Sequence, residues 1–232
     1  MNNQDFVQEV NEDIQQEKLL RFWKIYSKYV YGVVIAILVF VAGTTVVKNH
    51  YRSQKMEFYD RYIEAVNLLM SNKTEDGLNA LRGIHDSASQ NTIGYAVMAK
   101  FQEAAYLLRN QKTGEKPSVE VIKIYWEIAN DPKYPKSYRD IATYLSGFHA
   151  LGHTYEELPK TELLPKLQEM TNENNTFRLM AFELLAHYKK LEGNSEDARK
   201  YCETVIADKS LVNTSTISER CRALLMTLPE KK

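Results

Sequence analysis

Two pairs of residues have side chains and spacings that could support metal or redox chemistry. The first pair is His149 and His153, which lie four positions apart, as two metal ligands on one helical face would. Gly152 adjoins the second histidine, and no carboxylate at a matching helical position completes a ligand set. The chain also lacks the sequence motifs of phosphate-binding loops, HExxH metalloproteases and GxSxG hydrolases. We therefore expect no metal, cofactor, catalytic residue or small-molecule substrate.

The second pair is Cys202 and Cys221, the two cysteines of the chain. Helices over about 195–208 and 214–228 would bring these thiols to the same level if they packed antiparallel. Two interpretations stay open. The thiols are free and behave as small buried hydrophobic groups, or they form a disulfide in an oxidising compartment.

Helical periodicity predicts the elements that carry these residues. Apolar residues recur at three- and four-residue steps, without convincing strict alternation, so we expect an all-α fold. Polar or Gly/Pro-containing breaks recur at intervals and predict a series of helix hairpins. Thr74 and Ser195, each followed by two acidic residues, are the expected N-caps of two helices. The breaks are expected at 71–74, 87–91, 110–117, 130–135, 152–160, 171–176, 192–195 and 209–215.

The spacing of small residues favours tetratricopeptide-like hairpins. Counted from Ala186, Gly193 comes seven positions later and Ala198 twelve positions later, as in a tetratricopeptide unit. Small residues at these points let two helix backbones approach closely. Weaker matches in 65–84 and 101–129 precede this unit, so we predict a tetratricopeptide-like domain over 72–232.

An uncharged run predicts a single membrane anchor. Residues 29–47 contain no Asp, Glu, Lys or Arg, and a helix of this length spans about 28 Å, close to the thickness of a bilayer core. The acidic residues before the run argue against one alternative, a cleaved signal peptide, and the length of the run argues against the other, a buried core helix. The expected anchor residues include Tyr29, Val33, Ile37, Phe40 and Val47.

The anchor divides the chain into a cytoplasmic amphipathic tail at 1–28, the transmembrane helix at 29–47, a helical stalk at 48–71 and the large domain. Phe6, Val10 and Ile14 form an apolar stripe in the tail, which either runs into the anchor as a solvated helix or docks on a partner. Four basic residues precede the span and four follow closely, so charge does not decide orientation. We favour the tail inside and the domain outside, because long domains translocate largely regardless of charge.

The large domain is nearly neutral. Residues 48–232 hold 26 Lys and Arg against 25 Asp and Glu, so we expect no nucleic-acid partner. Tyrosine clusters in the domain favour core packing, and their alternative role is to contact a protein. Tyr134 and Tyr138 are the expected contact residues if that second role applies.

The order of these parts resembles the YfgM family. The resemblance is carried by Glu9–Glu12, Arg21–Tyr26, the anchor, the tyrosine-rich stalk and the turn Gly193–Ala198, and it covers nearly the whole chain. It implies a non-enzymatic ancillary subunit of the SecYEG translocon in the bacterial inner membrane. It also implies a periplasmic domain linked to periplasmic chaperones. The alternative is a regulator that acts on a signalling protein through its cytoplasmic tail, with the repeats as sensor.

Overall fold

A computed structural model describes residues 39–111, 119–151, 160–208 and 216–229. Every regular element in these ranges is a helix, which confirms the all-α prediction for the described part of the chain. The tail residues Phe6, Val10 and Ile14 lie outside the described residues, as do the anchor residues Tyr29, Val33 and Ile37.

Helical structure begins at the first described residue. Helix α1 covers 39–70, and the helices that follow are α2 (Thr74–Ser87), α3 (Ile93–Arg109), α4 (Val119–Asn130), α5 (Lys136–Ala150), α6 (Lys160–Met170), α7 (Arg178–Leu191), α8 (Ser195–Ala207) and α9 (Thr216–Met226). Where the described ranges show them, the ends of these helices fall at the predicted breaks, because polar turn residues interrupt the apolar periodicity there.

The chain divides into two compact units, Met1–Gln54 and Lys55–Lys232. In the first unit, 39–54 is helical, and Phe40 and Val47 are exposed. No helix within the described ranges is both long enough and apolar enough to cross a membrane. Only 39–47 of the predicted span belongs to those ranges.

In the second unit, consecutive helices pack against one another from α2 to α9. Helix α5 also contacts α7, and α7 contacts α9. The buried side chains form clusters that follow the chain: α1 to α3, then α3 to α5, then α4 to α7, then α7 to α9. Neighbouring clusters share helices, so the core is a sequence of linked contacts.

Several small residues are buried at contacts between helices. A Cβ atom at Gly77 would lie 2.6 Å from Leu69 Cδ2, so the glycine sets the spacing between α1 and α2. Ala186 and Ala198 are fully buried between α7 and its neighbours. Their burial agrees with a packing role, and the close backbone approach at these alanines stays a prediction.

The turn between α7 and α8 depends on a positive φ angle. Gly193 adopts φ +78°, which an L-residue with a side chain rarely tolerates. Its amide donates to the Lys190 carbonyl, and the Asn194 amide donates to Lys189, both at 2.9 Å. These bonds satisfy carbonyls at the end of α7 and reverse the chain, as the prediction of a turn at this glycine requires.

Two predicted N-caps are wrong by one residue. The cap of α8 is Asn194, whose side chain accepts a hydrogen bond from the Asp197 amide, and Ser195 is the first residue of the helix. The cap position of α2 is Lys73, without a side-chain capping bond, and the Thr74 hydroxyl instead lies 2.6 Å from the Tyr106 hydroxyl. Asn and Ser have similar cap preferences, so composition alone does not place the first residue.

Candidate functional site

The two cysteines meet in the core between α8 and α9. Cys202 and Cys221 are both free and fully buried, and both belong to the cluster that joins α7, α8 and α9. The interaction between the two thiols lowers the pKa of Cys202 and, together with burial, raises the pKa of Cys221. The predicted juxtaposition is confirmed, and the disulfide stays a prediction.

A buried carboxylate lies near the thiols. Glu183 of α7 is 1% exposed. Arg220 of α9 binds it with two nitrogens, Nε donating to Oε1 and Nη2 donating to Oε2 at 2.8 Å. Tyr144 of α5 also donates its hydroxyl to Oε2, at 3.4 Å. One side chain of α7 thereby connects α5, α7 and α9.

This cluster shifts the protonation equilibria of its members. The hydrogen bond to Glu183 is the main cause of the raised pKa of Arg220. Burial, assisted by the negative charge of Glu183, raises the pKa of Tyr144 to about 12. Burial lowers the pKa of the adjacent His187.

The geometry gives Glu183 a structural task. Both of its carboxylate oxygens accept hydrogen bonds from Arg220, and this bidentate pair ties α7 to α9. The sequence contained one signal of this pair that our prediction missed. Glu183 stands within the otherwise apolar run 179–186, and an acid in such a run is buried and requires a partner.

The structure describes one of the two histidines that could have formed a metal-ligand pair. His149 stacks on Tyr125, with ring centroids 5.8 Å apart and planes at 11°, and burial lowers its pKa. His153 lies outside the described residues. Within the part of the chain that the structure covers, no group of three or more His, Cys, Asp or Glu side chains could hold a metal ion.

A charged groove of about 390 Å³ lies between α2, α3 and α4. Its charges neutralise one another: Arg82 pairs with Glu103 at 2.7 Å and with Glu120 at 3.4 Å, and Lys100 pairs with Glu127 at 2.6 Å. Because both signs are interspersed and paired, the groove has no single-sign field that would attract an anion or a cation.

A second groove, of about 310 Å³, lies between the start of α5 and the turn that joins α6 to α7. We call it the amide-lined groove. The Asn175 amide donates to Asp140 Oδ2 at 2.8 Å, and Lys136 bridges Asp140 and Glu169 at 3.0 and 3.3 Å. These bonds hold the turn against α5. The groove is lined by Lys136, Ser137, Asp140, Glu169, Asn172, Asn174, Asn175, Thr176 and Phe177.

The two tyrosines predicted to contact a partner differ in their burial. Tyr134 is 2% exposed and belongs to the core cluster of α3 to α5, and burial raises its pKa to about 12. Its side chain is not accessible to a partner in this structure. Tyr134 therefore fits the other interpretation of the tyrosine clusters, which is core packing. Tyr138 is half-buried on α5, one residue from Ser137 of the amide-lined groove, and its ring lies 6.5 Å from that of Phe101.

Comparisons of the chain with protein-family models, with curated proteins and with solved structures found no match. The fold class therefore rests on the described helices. Family and function rest on the sequence resemblance, and we treat them as proposals.

Proposed function

We propose that this protein is a membrane-anchored scaffold of the YfgM type. Its tetratricopeptide-like domain binds chaperones or emerging secreted chains beside the SecYEG translocon, and its mechanism is recognition without covalent chemistry. Residues 29–47 anchor it in the inner membrane, and the domain lies in the periplasm.

The arrangement of helix hairpins supports the tetratricopeptide-like assignment. Consecutive helices from α2 to α9 pack against one another, and the contacts of α5 with α7 and of α7 with α9 add a second layer of helix packing. Such stacks expose an extended surface to polypeptide partners. The burial of Ala186 and Ala198 at repeat spacing supports the same assignment.

The amide-lined groove is the observation that carries the binding proposal. Asn172 and Asn174 are exposed there. An asparagine amide both donates and accepts hydrogen bonds, as a peptide group does, so it suits the backbone of an extended polypeptide. The half-buried Phe177 adds an apolar contact. This combination recognises polypeptide with little dependence on sequence.

Exposed apolar residues at the start of α1 support the anchor. Phe40 is 72% exposed and Val47 is 51% exposed in the first unit. A water-exposed helix rarely carries large apolar side chains so densely, and lipid would cover them. Val39, Val41 and Val46 are exposed in the same segment.

Photocrosslinking in intact cells tests the proposal. A photoreactive residue at position 31 or 40 should capture translocon subunits, and one at Ser137, in the amide-lined groove, should capture chaperones or secreted chains. A photoreactive residue at position 59 identifies the proteins that lie beside the segment after the anchor. Lys200, exposed on α8, is the control position and should capture neither class.

A second variant links the capture to the groove. Asn174→Ala should reduce crosslinking from position 137, whereas Asn79→Ala, which changes an exposed amide on α2, should not. The absence of translocon subunits at every position would refute the translocon assignment. Equal capture from Ser137 and Lys200 would refute the assignment of the amide-lined groove as the binding site.

A further inference from the structure

Helix α1 carries two separate apolar surfaces within the second unit. One is buried: Phe58, Ala65 and Leu69 are at most 8% exposed and pack against α2 and α3. The other surface is largely exposed, although its residues are as apolar as those of the core. An amphipathic helix with one partner needs only one apolar face, so the second face calls for a separate explanation.

The exposed surface has the spacing of a coiled-coil seam. Its members recur at alternating steps of three and four residues, which is the a/d pattern of two heptads. Met56 is 54% exposed, Tyr59 46%, Ile63 38% and Met70 76%, while Val66 is half-buried. We call this set the α1 seam: Met56, Tyr59, Ile63, Val66 and Met70.

The α1 seam lies on the first helix of the second unit, where an exposed apolar face is unusual. Helix α1 is the first helix of the second unit, and the terminal repeats of helical arrays normally present a polar outer face. Here the outer side instead has an open groove of about 360 Å³ that includes Tyr59 and Ile63. An apolar terminal face with heptad spacing is typical of a helix that packs against another helix.

Flanking charges indicate which helix covers it. With Met56 at position a of the heptad, Lys55 occupies g and Asp60 the following e. In a parallel pair of identical helices, g of one chain faces this e position of the other, so each Lys55 would meet an Asp60 and each Asp60 a Lys55. Both side chains are exposed, and neither has an ion-pair partner among the described residues.

We infer that a second copy of this chain covers the α1 seam in a parallel, two-fold symmetric helix pair. The parallel orientation rests on the proposed function, since two chains anchored in one membrane by 29–47 approach each other with the same polarity. A two-fold axis along the pair places each seam residue opposite its own counterpart. The seam is then self-complementary without any other partner.

Cysteine crosslinking of the full chain in native membranes tests the inference. Ile63→Cys places a thiol on the seam, and Glu64→Cys places one on the next exposed residue, at heptad position b, outside the seam. Mild oxidation should convert the first variant, and not the second, into a disulfide-linked dimer. The unaltered chain supplies the background, because both of its cysteines are buried.

Charge reversal tests the register. Lys55→Glu turns two attractive pairs into repulsive ones and should reduce crosslinking at position 63 on the order of tenfold. Asp60→Lys should act in the same direction. The double variant Lys55→Glu/Asp60→Lys restores opposite charges across the seam and should restore the crosslink.

Each outcome has a defined meaning. Equal crosslinking of the position 63 and 64 variants, capture of a different protein at 63, or failure of the double reversal to restore the dimer would each overturn the pairing. Carbonate extraction of the same membranes tests the anchor separately. An extractable protein that still crosslinks at 63 would refute the anchor and leave the pair intact, whereas a membrane-bound protein without the crosslink would refute only the pair.

Discussion

At the scale of single residues, Glu183 is the charge whose removal should matter most. Glu183→Gln leaves Arg220 without its carboxylate and replaces a charge-assisted pair with weaker bonds in a buried site. We expect a loss of about 2–4 kcal/mol in the free energy of unfolding, measured by urea denaturation.

The matched control for Glu183 is Glu192, which pairs with Lys189 at 2.8 Å on the surface. Glu192→Gln should change stability by less than about 1 kcal/mol, because exposed pairs contribute little. Equal effects of the two variants would mean that the Glu183 pair contributes no more than a surface pair.

Tyr188 provides a pH-dependent test at the same scale. Burial raises its pKa from 10.0 to about 12, and its hydroxyl donates to the Gly147 carbonyl at 3.0 Å. Between these pH values the folded state keeps the proton that the unfolded state loses. The stability that Tyr188 contributes is therefore complete below pH 10 and is lost as the pH rises towards 12.

Tyr188→Phe should remove the part of the stability loss at alkaline pH that is due to Tyr188. We expect the variant to be about 1 kcal/mol less stable at neutral pH, because it lacks the hydrogen bond. Its stability should then fall less steeply above pH 10 than that of the unaltered chain. Urea midpoints measured from neutral pH to pH 12 check both statements, and parallel slopes for the two proteins would contradict the assignment to Tyr188.

At the scale of elements, two helical glycines should respond oppositely to alanine. A Cβ at Gly77 would meet Leu69 Cδ2 at 2.6 Å and the Leu69 backbone nitrogen at 3.0 Å, so α1 and α2 must move apart. We expect Gly77→Ala to cost about 1–3 kcal/mol despite the better helix propensity of alanine.

Gly94 is the control for Gly77. A Cβ at this position meets nothing within 4 Å, so Gly94→Ala should stabilise the protein by up to about 1 kcal/mol. Thermal unfolding of both variants measures the contrast. Stabilisation by Gly77→Ala would mean that the close approach of α1 and α2 is not required.

Most element boundaries could be predicted because polar turns interrupt a strong helical period. Ala186, Gly193 and Ala198 could be assigned roles because their small size serves a local geometric need. Tyr134 could not be assigned a role from the sequence, because a tyrosine fits both a core and a binding surface. Long-range packing decides between the two. The Glu183–Arg220 pair joins residues 37 positions apart, a separation that local periodicity does not encode.

At the scale of the whole molecule, the oxidation state of the two cysteines indicates which compartment the domain occupies. If residues 160–229 face an oxidising periplasm, a disulfide oxidoreductase should accept the two electrons and two protons that Cys202 and Cys221 release on forming a bond. Thiol labelling of denatured protein should then fail unless a reductant is added first.

The comparison is the same chain produced without its first 47 residues, which lacks the proposed anchor and should stay in the reducing cytosol. Its two thiols should label fully. The oxidised form should be more stable by about 3 kcal/mol, because the bond closes a loop of intermediate length in the unfolded chain. Full labelling of the membrane-bound protein would place the domain in a reducing compartment or show that the pair does not oxidise.

The linked core clusters have a mechanical consequence. Each cluster shares helices with the next along the chain, from α1 to α9. Under the proposed function, a load applied between the anchor and a polypeptide bound near α5 would pass in series through the clusters that join α1 to α3 and α3 to α5. We expect the domain to lengthen in hairpin-sized steps under tension, as a compliant tether does, and to recoil when the load is released.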